Sequence, residues 1–342
     1  MKKSTKNILI SSTVAASTMA ALAGAVVTSS KYLMKVALDR ELPKSSSKNT
    51  EKLTGSKKFV EFLDSNSAYE KALAEDPSLE NVEIRTEDDV VLVGHWYENP
   101  KAKRIIVAMH GWRSSWARDF GAISSFWHKN GCSVLYAEQR GQNNSGGDYM
   151  GFGMLERHDC LEWVRWINDK VGTKLPIYLA GVSMGASTVL MASELELPEN
   201  VHGIIGDCGF TSPHAIWKHV AEKNLHLSYG IIGKIANDIC KKKINLSSKE
   251  YSAPFALSKT NVPVIFIHGS DDKFVPIEMT YENYKACASP KRLLVVPGAE
   301  HGLSYFTDQK AYEKAVLEFW QDFDNTPPEN KESIDTPGED NI

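Results

Sequence analysis

The sequence predicts an α/β protein built on a mostly parallel, doubly wound sheet. Six short, nearly continuous apolar runs follow one another from Arg104 onward: RIIVAMHG, CSVLYAE, PIYLAGVS, VHGIIGDCG, VPVIFIHG and RLLVVPG. Such runs are expected of strands covered on both faces. The spacers between them carry helical periodicity, and strands alternating with helices give a sheet whose ligands bind at the carboxyl ends of the strands. At 342 residues the chain can bury a sizeable core.

In chain order, MKKSTKN supplies basic residues, and residues 8–27 follow without a charge. This is the pattern of a secretory signal or an uncleaved membrane anchor, and residues 1–30 are assigned to it. Ala21-Leu22-Ala23 and Ala23-Gly24-Ala25 both suit cleavage, while the run is marginally long enough to span a bilayer. The expected location is the cell envelope, with the domain outside the membrane, tethered or secreted after cleavage. Residues 31–58, which include PKSSSKNTEKLTGSKK, read as a flexible spacer.

The folded domain is expected over residues 59–323. It opens with an amphipathic helix at 59–75, then two strands in 82–97 joined through an Asp88-Asp89 turn. Helices are predicted at 117–129, 156–170, 186–195 and 308–323. The spacer at 210–261 exceeds what one crossover needs; it reads as a helical cap insertion, the alternative being a crossover helix with a surface excursion. Residues 324–342 are Pro-rich and acidic, with almost no large apolar side chain, and read as a disordered tail.

Composition narrows the function. A net charge of -4 offers no basic face for nucleic acid. Five scattered cysteines without a C-x-x-C pair argue against a zinc site or a disulfide scaffold, and no H-E-x-x-H run is present.

The chemistry centres on Gly181-Val-Ser-Met-Gly185, where an apolar run meets a helix-like segment. In a G-x-S-x-G elbow the serine sits on a strained strand-to-helix turn, and the glycines are small because the two backbones pass close together. Ser183 as a nucleophile needs a base, and the base needs an orienting carboxylate. His301 follows the last apolar run; Asp271 and Asp272 both follow the one before it, and their placement leaves either open as the acid.

With HGW at 110–112, RGQNNSGG at 140–147, GFGMLERHD at 151–159, GVSMG, HGSDDKFVP and the final EHG, residues 82–323 resemble the α/β-hydrolase family. More narrowly they resemble the bacterial membrane-anchored or extracytoplasmic hydrolases of the serine aminopeptidase and feruloyl-esterase-like branch. The resemblance implies the α/β-hydrolase fold and puts the acid of H-G-x-x-D-x-x-V-P on Asp272. It also implies an oxyanion hole from the backbone N–H groups of Trp112 and Met184. His110 reads as a residue that shapes this loop. Relatives commonly carry Asp-x-Arg-Gly-His-Gly-x-Ser where this chain has Glu138-Gln139-Arg140-Gly141-Gln142-Asn143-Asn144-Ser145, so that loop is expected to differ.

The reading is a serine hydrolase cleaving carboxylic esters through Ser183, His301 and Asp272, with no metal or organic cofactor and a small-molecule or acyl-ester substrate. Peptidase, aminopeptidase, thioesterase and acyltransferase chemistry share the same triad; a non-catalytic cell-surface binding protein is the alternative of another class. Trp112, Trp116 and Trp127 are candidates to line an acyl pocket, helix packing being the other reading for Trp127. Asp207 and Ser212 are expected to pair at a strand end.

Overall fold

The computed structural model describes residues 24, 26–42 and 66–325. The predicted signal or anchor up to residue 23, most of the spacer, the start of the 59–75 helix and the tail from residue 326 lie outside the described residues. Among those described, no helix is long and apolar enough to cross a membrane.

Eight strands form one sheet in the order β1-β2-β4-β3-β5-β6-β7-β8. β1 (Leu79–Arg85) and β2 (Val91–Tyr97) make the antiparallel start, turning through Asp89 at φ 66°. β3 (Arg104–Met109), β4 (Cys132–Ala137), β5 (Ile177–Val182), β6 (Val201–Asp207), β7 (Val264–Gly269) and β8 (Lys291–Val296) are parallel. The apolar runs are continuous because both sheet faces are covered. In β3, Ile105, Val107 and Met109 join one core and Ile106 and Ala108 the other. Helices α1 (residues 26–38), α4 (Glu156–Val171), α5 (Met184–Ala192), α8 (Ala253–Leu257) and α9 (Ile277–Ala286) pack on the first face. α2 (Ser67–Ala74), α3 (Trp116–Lys129) and α11 (Gln309–Phe323) pack on the second.

Between β6 and β7 the chain forms α6 (Pro213–His219), a turn of wider π-type helix (Val220–Asn224), α7 (Tyr229–Ile244) and α8. The short α10 (Ser304–Thr307) follows β8.

Residues 31–42 depart from the expected flexible spacer. α1 runs through residue 38 and buries Met34, Val36 and Leu38 against the domain. Val26, Ser30, Leu33, Met34 and Ala37 recur with helical spacing, whereas Lys31 and Lys35 are exposed, so an amphipathic helix underlies a stretch whose charges suggested a spacer. Leu38 and Asp39 then lie along Asp148 to Met150, with an antiparallel bridge from Asp39 to Tyr149.

Candidate active site

Ser183 sits between β5 and α5 with φ 56° and ψ -116°, a conformation an L-residue adopts only when its surroundings impose it. The neighbouring glycines show how. A Cβ on Gly181 would lie 2.2 Å from the Gly185 carbonyl oxygen, and one on Gly185 would lie 1.8 Å from that of Met109. Strand and helix backbones touch, and the only freedom left turns the Ser183 hydroxyl out of the sheet.

His301, on the turn after β8, places Nε2 2.8 Å from Ser183 Oγ and Nδ1 2.7 Å from Asp272 Oδ2. Asp272 follows β7. Its Oδ1 accepts the Phe274 and Val275 N–H groups, each at 2.9 Å, and its Oδ2 lies 3.2 Å from His268 Nε2. Burial opposes ionisation of Asp272, but the two imidazoles outweigh it and hold the carboxyl well below the usual range. The ionised acid fixes the proton of His301 on Nδ1 and leaves Nε2 to accept from Ser183. Asp271 is exposed and accepts only the Ser270 hydroxyl among the hydrogen bonds of its side chain. Of the two candidate acids, the structure brings Asp272 to His301.

Sequence reasoning missed the role of His268. Its Nδ1 lies 2.7 Å from Thr280 Oγ1 and its Nε2 2.9 Å from the Val275 carbonyl. Burial opposes its protonation, yet the Asp272 carboxylate raises its pKa above the ordinary value. The Cys208 sulfur lies within 4.8 Å of ligand atoms of Asp272 and His301. Burial pushes that thiol well above its usual pKa, so it sits beside the triad as a neutral group.

The loop after β3 is built to present one donor. The Gly111 N–H goes to Asp119 Oδ2 at 2.6 Å and the Arg113 N–H to Gln142 Oε1 at 2.5 Å. The Trp112 N–H between them donates to no acceptor among the described residues. Met184, the first residue of α5, has an N–H without an intrahelical partner. His110 is buried, which lowers its pKa and keeps it neutral; its Nε2 accepts the Gln139 N–H at 3.1 Å and its Nδ1 donates to the Gly111 carbonyl at 2.8 Å. The unusual 138–145 loop rewires this support: Gln142 holds Arg113, while Asn143 (φ 49°) reaches His110 and the Ser114 carbonyl. Arg140 ties the loop to Asp88 and Asp159, and its hydrogen bond lowers the Asp88 pKa to about 2.

A cavity of about 780 Å³, part of it open to solvent, adjoins Ser183. Trp112 lines it, as expected of an acyl-pocket candidate, but Trp116 and Trp127 do not. Trp116 stacks on His95 and Trp127 packs on Phe120, on the other side of the sheet. Asp207 and Ser212 do not pair: Asp207 accepts the Ser304 hydroxyl at 3.0 Å, while Ser212 caps α6 through the Ala215 N–H. Glu156 is fully buried and accepts the N–H groups of Gly151 and Gly153.

Residues 118–325 match the profile of the prolyl oligopeptidase family. The chain belongs to the prolyl oligopeptidase family. It is accordingly a member of the α/β-hydrolase superfamily. This family member is 28% identical over 193 residues to the Bacillus subtilis (strain 168) protein YqkD, a match covering 55% of this chain and 62% of that relative, less than two thirds of its length. Among solved structures it resembles the Pyrococcus furiosus esterase Pf2001, with TM-score 0.58 and 23% identity over 72% of this chain and 91% of that one. It also resembles the Pyrococcus horikoshii acylaminoacyl peptidase, with TM-score 0.56 and 16% identity over 78% of this chain and 44% of that one. At these identities the structural likenesses establish the α/β-hydrolase fold, and choose neither esterase nor peptidase.

Proposed function

We propose that this prolyl oligopeptidase-family chain cleaves carboxylic esters through an acyl-enzyme intermediate. The observation that carries the reading is the unbroken hydrogen-bonded line from Ser183 through His301 to Asp272, ending at a cavity whose lining, among the described residues, includes no carboxylate. An aminopeptidase needs an acidic group to bind the free amine of its substrate; Glu156 is spent on the 151–153 backbone.

Ser183 Oγ attacks the acyl carbon as its proton passes to His301 Nε2. The carbonyl oxygen becomes an oxyanion facing the Trp112 and Met184 N–H groups, and each such donor is worth about 3 kcal/mol at the transition state. The tetrahedral centre collapses, the ester C–O bond breaks, and the departing alkoxide takes the proton from His301 to leave as an alcohol. Water then loses a proton to Nε2, attacks the acyl-enzyme, and releases the acid and free Ser183. Asp272, held ionised, stabilises the imidazolium in both halves.

The test pairs a fluorophosphonate probe with a p-nitrophenyl ester. Ser183→Ala is expected to abolish labelling and to lower kcat by about 10⁴-fold or more; persistent labelling overturns the assignment, and an inert wild-type chain supports the binding-protein reading instead. Aminoacyl p-nitroanilides run alongside distinguish a peptidase. For location, the basic N-terminus and uncharged run support an envelope protein with its domain outside; protease accessibility in intact cells checks this, protection being the contrary result.

A further inference from the structure

We propose that helix α1, which precedes the sheet in the chain, is a specificity-determining wall of the active site, and that the substrate carries an unbranched aliphatic acyl chain lying between this helix and the cap. The proposal rests on the ester-hydrolase reading of Ser183 and adds the substrate class to it. The cavity beside Ser183 has three sources: Leu33, Met34 and Ala37 from α1, residues such as Trp217 and Ile232 from the cap, and an aromatic base of loop residues. In that base Phe152 packs 5.2 Å from Trp217 and 6.2 Å from Trp112, and Phe274 packs edge-on to His301 at 4.9 Å. Among the described residues, Ser30 and Ser183 are the only ones with a polar, non-aromatic side chain along the lining. Such a space suits a chain of methylenes, which needs no hydrogen-bonding partner, and it begins at the serine that would hold the acyl carbon.

The wall is fastened to the catalytic loop itself. Trp112 Nε1 donates to the Ala37 carbonyl at 2.9 Å, and Arg113 donates to the carbonyls of Val36 at 2.7 and 2.9 Å, Asp39 at 2.5 Å and Arg40 at 3.2 Å. The Val36 and Ala37 carbonyls are among those the end of α1 leaves without intrahelical donors, and those of Asp39 and Arg40 follow directly after the helix. Lys243 of the cap meets Asp39 at 2.7 Å, so the same helix end also touches the opposite wall. Leu33 and Ala37 are half-buried, facing the cavity, while Lys35 points to solvent.

The experiment compares kcat/KM for p-nitrophenyl acetate, octanoate and dodecanoate on the full chain, with binding of octanoate measured separately by calorimetry. Each buried methylene is worth about a fourfold gain, so the wild-type chain is expected to prefer octanoate to acetate by at least about tenfold. Leu33→Trp and Ala37→Phe, which narrow the space, are expected to cut that ratio, and octanoate affinity, about tenfold or more. Leu33→Ala widens it and is expected to move the preference toward dodecanoate. Lys35→Ala on the outer face leaves the ratio within about twofold. A flat chain-length profile without octanoate binding overturns the proposal while leaving ester hydrolysis standing, as do ratios unchanged in all three cavity variants. Octanoate binding that Leu33→Trp weakens, in a chain that cleaves no ester, supports the wall and refutes the ester reading.

Discussion

Two buried carboxylates, one in the candidate triad and one beside it, respond to burial in opposite ways, because their partners differ. Asp272 receives two backbone N–H groups and two imidazoles and stays ionised. Asp207 has the Ser304 hydroxyl; burial raises it from 3.8 to about 6, the imidazoles and Ser304 only partly opposing the rise. A raised carboxyl keeps its proton in the folded chain while the unfolded chain has lost it, so stability falls as pH rises from about 4 to about 6 and stays lower above that window. The size is about 3 kcal/mol at 1.36 kcal/mol per unit. Asp207→Asn keeps the acceptor for Ser304 and removes the titration. It is expected to raise Tm by several degrees at pH 7.5 and hardly at pH 4, as read by thermal melts; equal shifts at both values contradict it. The triad itself was legible because an elbow, an H-G-x-x-D run and a final His-Gly each carry their own geometry. His268 was not legible: it acts on Asp272 from the same strand end, and its sequence neighbours give a packed histidine and a charge partner the same appearance.

At the scale of elements, the strands could be read nearly to the residue, since burial on both faces leaves an uninterrupted apolar run and Gly or Pro punctuates the ends. α1 could not. Its apolar residues are spaced for a helix, but they overlap a run that also suits a membrane segment, and what makes it part of the domain is tertiary: the Arg113 and Trp112 donors on its last carbonyls. Arg113 stays charged although burial lowers its pKa to about 10. A charged donor on helix-end carbonyls contributes about 1.5–3 kcal/mol per bond. Arg113→Ala is therefore expected to loosen α1 without unfolding the sheet. Tryptic cleavage at Lys31 and Lys35 should accelerate about tenfold or more, while the melting transition of the sheet moves by only a few degrees; proteolysis at the wild-type rate shows that Leu38 and Met34 hold the helix alone.

For the whole molecule, the site is assembled from segments far apart in the chain: α1, the loops after β3, β5, β7 and β8, and the cap between β6 and β7. The atoms of the candidate triad come from the loops of the sheet, while α1 and the cap shape the space above them. Chemistry and selectivity are therefore separable by where the chain begins. The small-residue runs Ala21-Leu22-Ala23 and Ala23-Gly24-Ala25 precede the first described residue of α1 that lines the cavity, Ser30. A chain starting at residue 26 keeps the proposed wall. A chain starting at residue 43 loses Met34, Val36 and Leu38 from the core as well, and each buried side chain of this kind is worth about 2–5 kcal/mol when truncated to alanine. The start at 26 is expected to reproduce the wild-type preference for octanoate over acetate. The start at 43 is expected to melt at lower temperature and, measured below that transition, to hydrolyse the two esters at rates within about threefold of each other, since the methylenes then lie in water. Discrimination that survives removal of residues 1–42 would assign the acyl chain to the cap and the aromatic base alone.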